Sequence, residues 1–425
     1  MLDIKFIQAN QEIVKKAVKD KGLNVDLGKL LDLHDLRNIL ISEIDFLRNK
    51  RKSLNNEFTN KKPSEEIIIK SRNLKNQLID KESNLKKLED DYQELMLQIP
   101  NIPWSGAPIG NDETFNKVIK KVGQPSKFSF TPKNHIDLGL SLDLIDLERG
   151  AKTSGFHGYY LKNEAVLMHY GLMLLGLNSM VKAGFTLMIP PTIVKYFSLL
   201  GSGHFPFGND EIFEINNPNS QEKDQKKYLT GTSEPSLLAY YADQSIDEKK
   251  LPIKLCGIGN CYREEIGSYG KYTKGLYRLR EFMKVEQLVI CQPDQSEADK
   301  WFNAMLEISE NILQDLDLPY QLVETCTGDM GAGKRRMVDI ETWMPSREGY
   351  GETHSNSDLT DWQAKRLNIK VKQTKKYVFT LNNTVIASPR ILISILENNQ
   401  NKDGSITIPK ALHPFVGKKK ITTKK

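Results

Sequence analysis

Between residues 261 and 286 the chain reads Cys261-Tyr-Arg263-Glu264-Glu265-Ile-Gly267-Ser268, a loop through Gly270 and Gly275, then Tyr277-Arg278-Leu-Arg280-Glu281-Phe282-Met-Lys284-Val-Glu286. Two strand-like runs flank a loop with three glycines and a serine, and arginines and glutamates stand at both ends. An arginine on a strand holds a phosphate or carboxylate bidentately, and an aromatic such as Phe282 stacks on a base. The same residues also make an ordinary charged β-hairpin with surface ion pairs. Taken alone, the hairpin is the simpler account.

Other chemistries are written less well. Gly328-Asp-Met-Gly-Ala-Gly333-Lys334 fits the first seven positions of a phosphate-binding P-loop, but Arg335 stands where a magnesium-holding Ser or Thr belongs, and the following segment reads as a strand. A glycine-rich turn is the better description. The seven histidines show no HExxH or paired ligand spacing, and no GxSxG elbow is present. The cysteines (Cys256, Cys261, Cys291 and Cys326) form no CxxC pair, which argues against a zinc ribbon or redox motif and for reduced thiols in a cytosol.

The elements that must position this chemistry fall into two textures. Leu33, Leu40, Leu47 and Leu54 recur every seven residues. After Lys61-Lys62-Pro63-Ser64, the set Ile67, Leu74, Leu78, Leu85, Leu88, Tyr92, Leu95 and Ile99 follows a heptad seam interrupted at Ser71 and Lys81. Two apolar stripes joined by a polar turn predict an antiparallel helical hairpin, with Pro63 in the first turn of its second helix. Arg48, Lys50, Arg51, Lys52, Lys61 and Lys62 gather near its tip. They suit a solvated face or a phosphate backbone equally well, and the hairpin itself also fits a coiled-coil scaffold. The prolines of Ile99-Pro-Asn-Ile-Pro103 end the second helix, and a linker with turn-forming residues follows. From about residue 130, helical patterns (163 to 183) interleave with strand-like runs at 288–290 and 377–381 without a βαβ period. That predicts a mainly antiparallel sheet flanked by helices, an α+β fold. The expected division is arm 1–105, linker 106–130, α+β domain 131–417 and basic tail 418–425.

At 425 residues the chain has room for two or three domains. Its net charge of +6 is nearly all in the lysines after Gly417, so overall charge says little about nucleic acid. No apolar run approaches the roughly 20 residues of a membrane span, and the first residues lack a secretory signal.

The stretch 261–286 resembles motif 2 of the class II aminoacyl-tRNA synthetases in its seryl-tRNA synthetase version: Phe-Arg-x-Glu-x-Gly-Ser, a loop, Gly-Leu-x-Arg, then Phe-x-Lys-Val-Glu. The resemblance runs in order along nearly the whole chain. It takes in Met1-Leu-Asp-Ile-Lys5, the heptad hairpin, Ile99–Pro103, Gly110–Glu113, His135, Ile145-Asp146 and Ala151–Gly155. It continues through Gly184–Pro191 (like motif 1, the dimer element), Gly201–Pro206, Asp339-x-Glu341-x-Trp343-x-Pro345, Tyr350–Ser355 and the motif 3-like Thr380–Arg390.

The resemblance implies an ATP-dependent ligase that forms seryl-adenylate and passes serine to tRNA(Ser), with tRNA(Sec) left open as a second acceptor. It implies a cytoplasmic homodimer without a membrane role. Thr232, Ser233 and Glu234 would sit beside the serine ammonium, Glu286 and Thr384 at its hydroxyl. Arg263 would hold the serine carboxylate and α-phosphate. Glu264 and Glu265 fall in the ATP segment, Glu265 at the adenine amino group, with Phe282 stacked on the ring. Glu352, Thr353, His354 and Ser355 would form the segment that holds ATP, with Glu352 and Ser355 toward Mg²⁺, and Arg390 would take the γ-phosphate. Arg263, Glu352 and Arg390 are the expected catalytic groups. One of Asp339 and Glu341 is expected to point outward. The basic tip would contact the long variable arm of the tRNA, and the tail would be disordered.

Some positions depart from the family pattern. Asn383, Val385 and Pro389 replace glycines, Asn356 and Asp358 replace Cys and Asn, and Leu279-Arg280-Glu281 replaces Val-His-Gln. Pro389 fixes φ just before Arg390, so an adjusted helix start is expected. The charged groups persist, which argues against the alternative of a catalytically inactive, synthetase-like tRNA-binding protein. Glu286 and Thr384 favour a hydroxyl-bearing substrate, leaving threonine as the competitor.

Overall fold

The computed structural model describes residues 1–56, 64–216, 226–266 and 274–423. The chain divides into two compact units, Met1–Pro100 and Asn101–Lys425. In the first, two short helices precede α1 (Leu27–Asn56) and α2 (Glu65–Gln98). Heptad positions Leu47, Leu74 and Leu78 are buried together with Ile44, and Leu85 packs against them. The seam is thin, and charges on its flanks lock the register. Arg37 meets Glu89 at 3.0 Å, Arg48 meets Glu82 at 2.8 Å, and Lys81, the polar interruption of the heptads, meets Glu43 at 2.6 Å. Of the tip cations, Arg48 is thus engaged along the hairpin. Lys50 and Lys52 are exposed and Arg51 is half-buried on the last turns of α1. Lys61 and Lys62 lie outside the described residues.

The second unit is built on an eight-stranded sheet. In chain order its strands are β1 (Lys117–Val122), β2 (Thr186–Met188), β3 (Ile253–Tyr262), β4 (Glu281–Cys291), β5 (Tyr320–Glu324), β6 (Arg336–Met344), β7 (Gly349–Thr360) and β8 (Phe379–Ala387). Their spatial order is β1-β5-β6-β7-β8-β4-β3-β2. Every neighbouring pair is antiparallel except β2 with β3. Helices α3 (Glu164–Lys182), α4 (Gln295–Asp315) and α5 (Ser388–Asn398) bury Met168, Leu172, Phe302, Met305, Ile391 and Ile395 against one face. Helix α3 has the length and hydropathy of a bilayer span, but half of it is buried inside this unit.

Two expectations change. The segment read as a linker supplies β1, paired with β5 at the sheet edge. Its residues Lys117-Val-Ile-Lys-Lys-Val122 are almost all exposed, so no apolar alternation marks them, and lysines are what an open edge carries to resist further pairing. The tail is not disordered through residue 423. Lys420–Ile421 pairs with Ile406–Thr407, Ile421 is buried, Lys420 meets Asp403 at 2.9 Å, and Lys418 pairs with Glu164. A run of lysines hid the one apolar anchor. Pro389 sits in the first turn of α5, where a missing N–H costs nothing, so the helix opens at Ser388 without a break.

Candidate active site

Successive residues of a strand face opposite ways, and β4 uses this fully. Val285 and Val289 enter the core, while Phe282, Lys284 and Glu286 line a cavity of about 260 Å³. On β8, Asn382 and Thr384 line the same cavity, while Val385 is in the core and Asn383 donates to the Met305 carbonyl of α4 at 3.0 Å. Asn356, beside Asn383 in the sheet, likewise donates to the Phe302 carbonyl at 2.9 Å. These two departures from the family pattern therefore anchor α4 and leave the cavity wall untouched. Arg280 and Glu281 brace the hairpin. The Arg280 carbonyl accepts from Arg263 N at 2.9 Å, and Glu281 accepts from Asn260 at 2.9 Å.

At one end of the cavity, Glu286 lies opposite Thr384 in the sheet register. The Thr384 hydroxyl donates to the Glu286 carboxylate at 3.4 Å, and Lys284 Nζ lies 2.6 Å from the same oxygen. Lys284 also donates to the Thr232 hydroxyl at 2.7 Å. Burial pushes the Glu286 carboxyl up, and Lys284 pulls it back only in part. Glu234 is also raised by burial, and it accepts from Gln363 at 2.6 Å. Its short helix approaches β3 because Gly257 has no side chain: a Cβ there would lie 2.7 Å from Ser233 Cβ. Two carboxylates and a hydroxyl acceptor in a buried cavity suit an ammonium and a hydroxyl.

The other end is cationic. Arg263 sits 5.6 Å from the Phe282 ring, and Arg278 closes the hairpin base on Glu265 at 3.0 Å. Arg390 meets the Glu352 carboxylate at 3.0 Å and donates to its carbonyl at 3.0 Å. Burial alone would raise the Glu352 carboxyl, but Arg390, with Arg263 and Arg278, outweighs it and holds it below the usual range. Ser355 and Asp339 face each other across β6 and β7, the Ser355 side chain hydrogen-bonding the buried Asp339 carboxyl, whose pKa burial raises. Asp339 is buried and Glu341 accepts from Gln321 at 2.7 Å, so neither acid points freely outward. Among the described residues no cluster of three His, Cys, Asp or Glu side chains could cage a metal. The Glu352 carboxylate and Ser355 hydroxyl on the cavity wall are hard oxygen donors that instead fit magnesium, which takes few protein ligands and completes its shell with phosphates and water.

The cavity gathers Thr232, Glu234, Arg263, Glu265, Phe282, Glu286, Glu352, Thr353, Ser355, Thr384 and Arg390. Three expected residues stand outside its lining. Ser233 packs under Gly257. Glu264 donates its backbone N–H to the Glu211 carbonyl at 3.0 Å. His354 points into the sheet's interior, within 3.0 Å of the Val385 carbonyl, and burial drops its pKa to about 4. His354 follows Thr353 at a bulge where β7 slips against β6 between Ile340 and Glu341, and a bulge is invisible to strict alternation. The lining also includes His204, Tyr277, Lys284, Lys334, Trp362 and Asn382. Period-two counting from Glu286 and Thr384 finds Lys284 and Asn382. Gly331 to Lys334 belongs to the turn set aside as a P-loop, and it reaches the cavity only through the tertiary fold.

A mixed, mainly antiparallel sheet with a nucleotide-sized cavity, an arginine–phenylalanine pair on one strand hairpin and an arginine–glutamate pair opposite defines a class II aminoacyl-tRNA synthetase. Residues 213–399 match the tRNA synthetase class II core domain (G, H, P, S and T), and residues 1–103 match the seryl-tRNA synthetase N-terminal domain. The chain is 39% identical to the serine--tRNA ligase of Treponema denticola, covering 98% of this chain and 99% of that one. It is 37% identical to that of Deinococcus radiodurans over 99% of each. It superposes on the seryl-tRNA synthetase of Pyrococcus horikoshii complexed with ATP with a TM-score of 0.89, at 33% identity, covering all of both chains. The cytoplasmic enzyme of Naegleria fowleri in complex with AMP gives 0.86 at 26% identity, covering 100% of this chain and 99% of that one. The chain belongs to the seryl-tRNA synthetase family, the serine--tRNA ligases.

The Lys284–Glu286 pair makes a prediction about pH. Lys284→Met removes the main group that opposes burial, so Glu286 moves further up and its carboxylate is lost at higher pH. The acid limb of kcat/KM for serine should shift to higher pH. Loss of one charge-assisted contact should lower kcat/KM about tenfold to a hundredfold near neutrality. A profile of unchanged shape would remove Lys284 from this role.

Proposed function

We propose that the cavity binds L-serine at the Glu286–Thr384 end and ATP at the Arg263–Arg390 end, and that its residues join them. The observation that carries this reading is one cavity lined by both the hydroxyl-seeking pair and the two phosphate-seeking arginines. Glu234 and Thr232 accept from the serine ammonium. Glu286 accepts from the serine hydroxyl, and Phe282 stacks on adenine with Glu265 at its edge. Arg263 bridges the serine carboxylate and the α-phosphate. The carboxylate oxygen attacks that phosphorus in line, the bond to pyrophosphate breaks, and Arg263 and Arg390 stabilise the charge on the entering and leaving oxygens. The terminal ribose hydroxyl of tRNA then attacks the adenylate carbonyl and releases AMP. Glu352 and Ser355 would hold Mg²⁺, which when bound supplies Lewis-acid neutralisation of phosphate charge.

Serine-dependent ATP–pyrophosphate exchange tests the assignment. The chain should exchange with serine far faster than with threonine, alanine or glycine, and Arg263→Ala should lower exchange by about 10²-fold or more with folding intact. Preference for threonine would keep the fold and overturn the pocket.

The arm reads as the tRNA-binding element through Arg48, Lys50, Arg51, Lys52, Lys61 and Lys62. Each phosphate contact steepens salt dependence. Reversing Lys50, Arg51 and Lys52 to glutamate should raise KM for tRNA(Ser) and flatten its salt dependence while exchange stays intact. A normal KM for tRNA in that variant would move the contact elsewhere.

A surface that a monomer leaves bare supports a homodimer. Leu167, Tyr170, Leu174 and Val181 are exposed along one face of α3, and Leu187 and Ile189 are exposed at the open edge strand β2 just beyond it. Exposed apolar side chains gathered on neighbouring elements in this way mark an interface. The whole chain should sediment at about twice 48.5 kDa, and Leu174→Arg should shift it to monomer. A wild-type chain that stays monomeric at micromolar concentration counts against the dimer. The cytoplasm, where translation uses the product, is the corresponding location.

A further inference from the structure

The turn between β6 and β7 (residues 345–347) ends in Arg347, whose guanidinium carbon lies 3.6 Å from the centre of the Tyr277 ring. The Arg390 guanidinium lies 4.7 Å from the centre of the same ring, and its Nε donates to the Tyr277 carbonyl at 3.3 Å. One aromatic ring on the cavity wall therefore serves two arginines. Like charges gathered this closely repel, so the arrangement needs an attractive surface between them. A π face supplies one, and the Glu352 carboxylate offsets Arg390.

The placement is built into the fold from behind. Glu397, fully buried on α5, accepts from Ser346 N at 2.9 Å, from Ser346 Oγ at 2.9 Å, from His135 N at 2.9 Å and from His135 Nδ1 at 2.8 Å. His135 Nε2 in turn accepts from Leu276 N at 3.2 Å, so the ring bridges Glu397 and the Leu276 backbone through its two nitrogens. One buried carboxylate thus joins three elements: the turn that carries Arg347, the segment that carries Tyr277, and the helix whose first turn carries Arg390. Gly351 leaves the room above them, since a Cβ there would lie 2.9 Å from Met344 Sδ and 3.2 Å from Arg347 Nη1.

We propose that Tyr277 and Arg347 are positioning residues for Arg390: their stack holds its guanidinium toward the triphosphate of ATP and toward the pyrophosphate that leaves. The proposal rests on the reading of Arg390 as a phosphate-binding group. A planar guanidinium stacks on a ring and an ammonium does not in the same way, so the stack needs arginine at 347 and an aromatic ring at 277. The tyrosine hydroxyl is dispensable.

The test is serine-dependent exchange with the full chain, measuring KM for ATP, pyrophosphate and serine separately. Tyr277→Leu should raise KM for ATP and for pyrophosphate about tenfold and leave KM for serine within about twofold, while Tyr277→Phe stays near wild type. Arg347→Ala should raise the same two constants about fivefold, and Arg347→Lys should match it. Arg390→Ala serves as reference. If Arg390→Ala binds ATP normally, the phosphate reading of Arg390 fails and takes this proposal with it. If Arg390→Ala is impaired but folded Arg347→Ala and Tyr277→Leu are not, the stack alone is refuted. An equal loss in serine affinity would mark a general packing defect, and full activity in Arg347→Lys would mean that charge, not stacking, matters; either result overturns the proposal. Should Tyr277→Leu not fold, the surface-turn variants at 347 decide the matter.

Discussion

Burying charge next to a hydrophobic core is the constraint on which this structure depends. The antiparallel sheet meets it by alternation. Strands β4 and β8 send one residue into the layer formed by α3, α4 and α5 and the next into the cavity. The core side is rigid because it is packed, and rigidity there is what gives Phe282, Lys284, Glu286, Asn382 and Thr384 fixed positions on the other face. A carboxylate placed on such a surface is expensive to ionise unless a partner is at hand. Each cavity carboxylate accordingly has one: Lys284 for Glu286, Gln363 for Glu234, Arg278 for Glu265 and Arg390 for Glu352.

Those pairings also set how the site responds to its ligands. Lys284 lies between Glu286 and Thr232, so in the proposed binding mode an incoming ammonium and hydroxyl would enter a network whose carboxylate charge is already offset in part. The phosphate end works in the opposite sense. Arg390 shares its charge with Glu352, and arriving phosphates with their magnesium would separate the two, leaving the arginine for the nucleotide and the glutamate for the cation. Breaking a buried pair is costly without a substitute, which ties the proper ordering of the site to the arrival of both charges.

The arm follows a different economy. Its seam buries few residues, and exposed ion pairs such as Arg48–Glu82 contribute about 0–1 kcal/mol each. Such a hairpin depends on length and register more than on a deep core. Its cations remain on the surface, where a phosphate backbone could reach them.

Much of this was present in the order of residues. The heptads of the first hundred residues dictate paired helices, because a 3.5-residue period can be buried only along a seam. The ordered matches around Arg263, Glu352 and Arg390 determine the family, and with it the chemistry. Local pattern could not decide what depends on partners distant in sequence. The strand Lys117–Val122 exists because β5 offers an edge, and Ile421 is buried because Ile406 receives it. His354 turns inward at a slip in register, and Lys334 meets the cavity only when its glycine-rich turn is folded over it. Glu397 reads as one more acid on an amphipathic helix until the fold brings His135, Ser346 and Leu276 around it. The sequence by itself determined the family and named the groups proposed for the chemistry, since reactivity belongs to side chains and their local spacing. Only the tertiary structure decided which groups hold them in place, since holding requires contacts between different elements, and local spacing does not show which elements meet.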